Sequence, residues 1–150
     1  MIKIKKYAFQ LNKGFTIIEV LIVMGILGTI FIFGVWTGLN FYEQYNINVE
    51  FNNLISVLRK ARNLSIGNFN ESPHGIYIEQ NRYTVYQGNS YSSRNPSFDE
   101  VFAPQTIKFS GLGDIIFSQL SGDSSASGTI SVNYLKKNKS ISINYEGKID

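Results

Sequence analysis

Residues 15–39 form an apolar run of 25 positions in which Glu19 is the one charged side chain. At ~1.5 Å per residue a helix of that length reaches ~37 Å, enough to cross a hydrocarbon core of ~30 Å with some tilt. Beyond it the composition changes while the helical period continues. Ile47, Phe51, Leu54, Leu58, Ala61 and Leu64 recur at spacings of three and four and line one face, with Asn48, Glu50, Asn53, Arg59, Lys60 and Asn63 largely elsewhere. The spacing predicts one long helix with a transmembrane-length part at 15–40 and an amphipathic part at 41–68. Gly67 and the Asn-rich stretch to Pro73 supply its stop signal.

After Ser72-Pro73-His74-Gly75 the pattern switches to short β runs. Runs at 76–79 and 82–86 predict a hairpin around Gln80-Asn81, and further runs lie at 106–109, 114–117, 129–134 and 140–145. The last two predict a second hairpin whose turn holds Lys136, Lys137, Asn138 and Lys139. Residues 88–104, rich in Ser, Asn and Tyr, read as a long polar loop. Six short strands against one helix predict an α+β fold: a long N-terminal α-helix whose amphipathic half packs on an antiparallel β-sheet domain at 69–150.

Charge refines this picture. The formal net charge of the 150 residues is +3, but Lys3, Lys5, Lys6 and Lys13 all precede residue 15, leaving ten basic and eleven acidic side chains in the rest. The basic character belongs to residues 1–14 and gives no support to nucleic-acid binding by the remainder. After the apolar run Glu43 and Glu50 come before the first base, Arg59, so the positive-inside rule places the N-terminus in the cytoplasm and the bulk of the chain outside. The chain has no cysteine, so packing alone must hold an exported domain together.

Glu19 is the costly residue of the run: acidic or basic side chains at a membrane-helix centre cost about 2.5 to 3.5 kcal/mol, and one near the end somewhat less. It stands in the sequence Lys-Gly-Phe-Thr-Ile-Ile-Glu-Val-Leu at 13–21. Gly14, Phe15, Glu19 and the apolar run, in that order, resemble the type IV filament family: the type IV pilins and the pseudopilins of type II secretion and competence systems. The resemblance covers about the first 40 residues. It implies a pilin-like fold, a leader at 1–14 removed by a prepilin peptidase cutting between Gly14 and Phe15, and N-methylation of Phe15 by the same enzyme. Its implied partners are that peptidase/N-methyltransferase, other pilin or pseudopilin subunits and the inner membrane, in a pilus or cell-envelope pseudopilus. A conventional secretory signal and an uncut signal anchor share the basic start and apolar core, but the first requires a small-residue cut site after a shorter core. The Gly-Phe-x-x-x-Glu arrangement argues against the second.

Cleavage at Gly14 creates an α-amino group on Phe15, with an ordinary pKa of ~7.7. Opposite charges ~4 Å apart at an effective dielectric of ~20 interact by ~4 kcal/mol, enough to offset burial of the Glu19 carboxylate. The amine is either the chain's own, four residues away on the helix, or that of a neighbouring subunit. Gly34 and Gly38 form a G-x-x-x-G spacing that suits close helix approach, although glycine is also simply common in membrane helices. Many family members have a proline in this region, and this chain has none.

A looser resemblance, Leu-x-x-Ala-Arg at 58–62 and Gly147-Lys148 near the end, points to the minor pilin and H-type pseudopilin branch. Catalysis is not expected: His74 is the single histidine, and a triad or a zinc site would have to rest on it without any cysteine. Gly-Leu-Gly-Asp at 111–114 lacks the context of a dinucleotide loop, and Gly-Asp-Ser-Ser at 122–125 carries too little charge for calcium. No cofactor or metal is implied. Lys136, Lys137 and Lys139 beside Tyr134 and Tyr145, together with Lys148, are the candidate contacts for DNA, as in DNA-binding minor pilins; the alternative is a solvated edge loop.

Overall fold

The structure, a computed structural model, describes residues 14–104 and 106–150. Lys3, Lys5, Lys6 and Lys13 of the expected leader lie outside the described residues. The chain divides into two units, Met1–Leu39 and Asn40–Asp150. Helix α1, Ile17–Ile66, contributes to both.

In the first unit every described side chain is exposed. In the second unit most of the predicted stripe is buried, with Leu64 half-buried. Ile47, Leu54, Leu58 and Ala61 are fully enclosed and Val57 nearly so, while Phe51 and Ile55 pack at the margin. Each enclosed Ile, Leu or Val side chain among them contributes about 1.5–3 kcal/mol. The helix stops after Ile66, where Gly67 N–H donates to Asn63 O at 2.8 Å and Asn68 takes a left-handed conformation, φ 52°. Asparagine tolerates that region better than most residues because its short side chain bonds locally.

Two antiparallel sheets cover the apolar stripe. β1 (His74–Glu79) is flanked by β2 (Arg82–Gln87) and β5 (Asp114–Phe117), and β3 (Glu100–Phe102) extends the sheet beyond β2. The register sets Ile76 opposite both Val85 and Ile115. The second sheet has the order β4 (Lys108–Gly111), β6 (Gly128–Tyr134), β7 (Lys137–Ile143), with Ile130 opposite Ile141 and Phe109 opposite Val132. A backbone bond joins the sheets, Phe109 N–H to Gln80 O at 2.8 Å, and Ile78 N–H to Gly113 O at 2.6 Å extends the β1–β5 pairing. This is the α+β pilin-like arrangement that the pattern predicts.

The structure departs from the sequence expectation in two places. Residues 88–104 contain β3 and two short 3-10 turns, held by side chains: Tyr91 stacks on Tyr77 at 3.9 Å, the Arg94 guanidinium lies 3.6 Å from the centre of the Tyr91 ring, and Arg94 pairs with Asp99 at 2.8 Å. No apolar alternation signals this segment, because cation–π and ionic contacts order it. The second departure is the last hairpin. Its turn is only Leu135-Lys136, since Tyr134 pairs with Lys137 and the strand begins there. Leu135 adopts a positive φ of 50° to close the turn. That is unusual for leucine and absent from the usual Asn-Gly signal.

Candidate processing and assembly site

The end of the first unit is built by a local cap. Thr16 precedes α1, and its hydroxyl accepts a bond from the Glu19 backbone N–H at 3.3 Å, while Thr16 O accepts the Val20 N–H at 3.2 Å. Thr-x-x-Glu is a spacing that starts helices, so the residues just after the expected cut position also fix where the helix begins. Glu19 lies in the first turn, where a carboxylate is favoured by the positive end of the helix dipole. Phe15, Glu19, Val20, Val23 and Met24 line one shallow groove of about 240 Å³. Their spacings place all five on one helical face. Phe15 is 83% exposed, and Glu19 makes no ion pair among the described residues. Chemically, this is a carboxylate on an apolar face with no described counter-charge.

Gly34 and Gly38 also lie on the exposed part of α1, and a β-carbon at either would meet nothing within 4 Å. The fold of the single chain thus makes no demand for glycine at these two positions.

The four lysines separate into two places. Lys137 lines a groove with Asn40, Phe41 and Gln44, and Lys139 Nζ stands 4.6 Å from the centre of the Phe51 ring. Lys148 lies with Arg59, Arg62, Asn63 and Ile149 around another groove, and its ammonium pairs with Asp150 at 2.7 Å. From Gln44 to Arg62 the helix advances ~27 Å. Lys136 belongs to the first group by its place in the hairpin turn. Lys137 and Lys139 alternate with Asn138 on the side of β7 that also carries buried Ile141 and Ile143, so their stems follow the apolar face.

Three residues outside that set shape the second unit. Arg62 donates to Gly122 O at 3.1 Å and Glu146 O at 3.2 Å, which ties the helix end to both loops. Arg62 thus spends its guanidinium on carbonyls, and Lys60 pairs with Glu100. Glu50, on the helix, is buried and accepts a bond from the Tyr83 hydroxyl at 2.9 Å. Burial, followed by the Glu50 charge, pushes the Tyr83 phenol far above its ordinary value. His74 is buried against Phe69, its backbone N–H donating to Ser65 Oγ at 2.8 Å, and its Nδ1 has no partner among the described residues. Burial lowers its pKa, with a backbone bond at Ser72 acting the other way. Among the described residues no three His, Cys, Asp or Glu side chains gather as a metal site would require.

Comparison with known families finds one match, the prokaryotic N-terminal methylation motif, over residues 10–38. No curated protein and no solved structure matches the chain. The motif covers Gly14, Phe15, the Thr16 cap, Glu19 and both Gly34 and Gly38. With that motif at the head of an exposed apolar helix, and an α+β domain following it, the chain is similar over residues 10–38 to the type IV prepilin-like proteins.

Proposed function

We propose that the chain is a non-catalytic structural subunit, a minor pilin or pseudopilin, of a type IV pilus, type II secretion or competence filament. It inserts through residues 15–40 with its N-terminus in the cytoplasm, loses residues 1–14 by cleavage after Gly14, and is N-methylated on Phe15. The observation that carries this reading is the methylation motif joined to an apolar helix whose side chains are all exposed in the single chain. A surface of that size and character calls for lipid or for other helices. Glu19 then supplies the counter-charge to a Phe15 amine, and the pair sets the register between subunits.

The test is incorporation. Glu19→Val removes the carboxylate and keeps the apolar face, so the variant should insert and be cleaved like the parent chain while its recovery with partner subunits in sheared filaments or cross-linked complexes falls at least tenfold. Recovery equal to the parent chain would remove Glu19 as the register element.

A further inference from the structure

We infer that the β6–β7 hairpin tip is a contact site for anionic phospholipid headgroups, holding the second unit against the membrane surface before assembly. This rests on the reading that residues 15–40 insert in a bilayer. The apolar run ends at Leu39, and the hairpin meets the helix directly beyond it, with Lys137 lining a groove beside Asn40, Phe41 and Gln44. Two further contacts fix the hairpin there: Asn46 Nδ2 donates to the Tyr134 hydroxyl at 3.3 Å, and Lys139 stands over Phe51. Phe41 follows Leu39 by two residues in the sequence, so the helix segment that the hairpin meets comes directly after the run.

The composition of the tip suits that place. Leu135 is 72% exposed at the apex, and Phe41, Tyr42 and Tyr45 are exposed on the adjoining helix. Aromatic rings with polar tips concentrate at the level of lipid headgroups. Lys136 is exposed beside Leu135, and Lys108 on β4 lines a groove with Leu135 and Asn133. Lys108, Lys136, Lys137 and Lys139 form no ion pair with another described residue. Of the nearest acids, Glu43 is half-buried on the helix and Glu50 is buried against Tyr83. An exposed leucine ringed by lysines matches an anionic lipid surface, with the apolar tip entering and the ammonium groups meeting phosphates. DNA is the competing polyanion; the exposed Leu135 together with the exposed Phe41, Tyr42 and Tyr45 favours lipid.

The chain contains no cysteine, so Leu135→Cys gives a single position for an environment-sensitive fluorophore in the full chain. Leu120→Cys is the control: Leu120 is equally exposed, also has positive φ, and its N–H donates to Ser65 O at the far end of the helix. Each labelled chain is reconstituted into nanodiscs of phosphatidylcholine alone or mixed with phosphatidylglycerol, and exposure to an aqueous quencher is measured. The Leu135 probe should be shielded in the anionic discs and the Leu120 probe accessible in both. Neutralising Lys136→Gln and Lys137→Gln should shift the shielded-to-accessible ratio about thirtyfold toward accessible. Raising salt from about 0.05 M to about 0.5 M should weaken the contact without any substitution. Equal accessibility of the two probes in anionic discs overturns the inference, as does shielding indifferent to phosphatidylglycerol, the lysines and salt. Loss of shielding on adding short duplex DNA, with the DNA retained through the same lysines, assigns the tip to nucleic acid and overturns it too. A chain that fails to incorporate into discs at all refutes the membrane reading itself, a result distinct from an inserted chain with an accessible tip.

Discussion

Tyr83→Phe isolates the one buried carboxylate that the helix presents to the sheet. The substitution keeps the ring, which stacks on Phe102 at 5.1 Å and meets Phe109 edge-on at 5.3 Å, and removes only the hydroxyl that donates to Glu50 at 2.9 Å. Tyr83 is 1% exposed and Glu50 9%, so water does not readily replace the lost donor. A buried acceptor left without its partner costs about 1–3 kcal/mol, with charged groups at the upper end. Taking about 2 kcal/mol and about 4 °C per kcal/mol for a unit near 100 residues, the melting temperature should fall by about 8 °C. Near-UV circular dichroism of the full chain in detergent follows that transition. Glu50→Gln retains an oxygen acceptor for the tyrosine and should lose less. In a cycle with Glu50→Leu, the coupling energy should be about 1–2 kcal/mol. A Tyr83→Phe chain melting within about 1 °C of the parent would refute the claim that this bond joins helix and sheet energetically.

His74 makes stability depend on pH in a defined direction. Its folded pKa lies below the ordinary 6.5, so the unfolded chain binds more protons there and stability rises with pH; it is lost as pH falls below about 6.5 through the folded value. His74→Phe should flatten that dependence between pH 7.5 and 5, as read from melting temperatures at the two pH values, and an unchanged slope would remove His74 as its source. Gly147 has φ 71°, and a β-carbon on it would stand 2.1 Å from Gly122 O and 2.7 Å from Arg62 Nε. Gly147→Ala should cost more than about 2 kcal/mol by denaturant titration, against a few tenths for an exposed substitution that clashes with nothing.

The sequence reading succeeds where periodicity controls the outcome. Ile47, Leu54, Leu58 and Ala61 are buried because their spacing permits only one face, and the alternation of 129–134 locates β6 to within one residue. Where non-periodic contacts control it, the sequence is silent. Tyr91 between Tyr77 and Arg94 gives the 88–104 segment its order, and neither spacing nor turn chemistry reports such a stack. The lysine hairpin is instructive in another way. Four cations read naturally as one patch, but strand alternation turns Lys137 and Lys139 toward the helix, and Lys148 lies beside Arg62 at the helix end. At the site itself, Gly14, Phe15 and Glu19 are legible as a motif, while the Thr16 cap that sets the start of the helix is legible only through its Thr-x-x-Glu spacing.

The central claim is that the chain is cut after Gly14 and presents a new Phe15 amine for Glu19 to answer. Intact-mass and N-terminal peptide measurement of the full chain, co-expressed with a prepilin peptidase, tests it most directly. The mature chain should begin at N-methylated Phe15, with residues 1–14 absent. A chain still beginning at Met1, in membranes where the peptidase cleaves a control substrate, would contradict it.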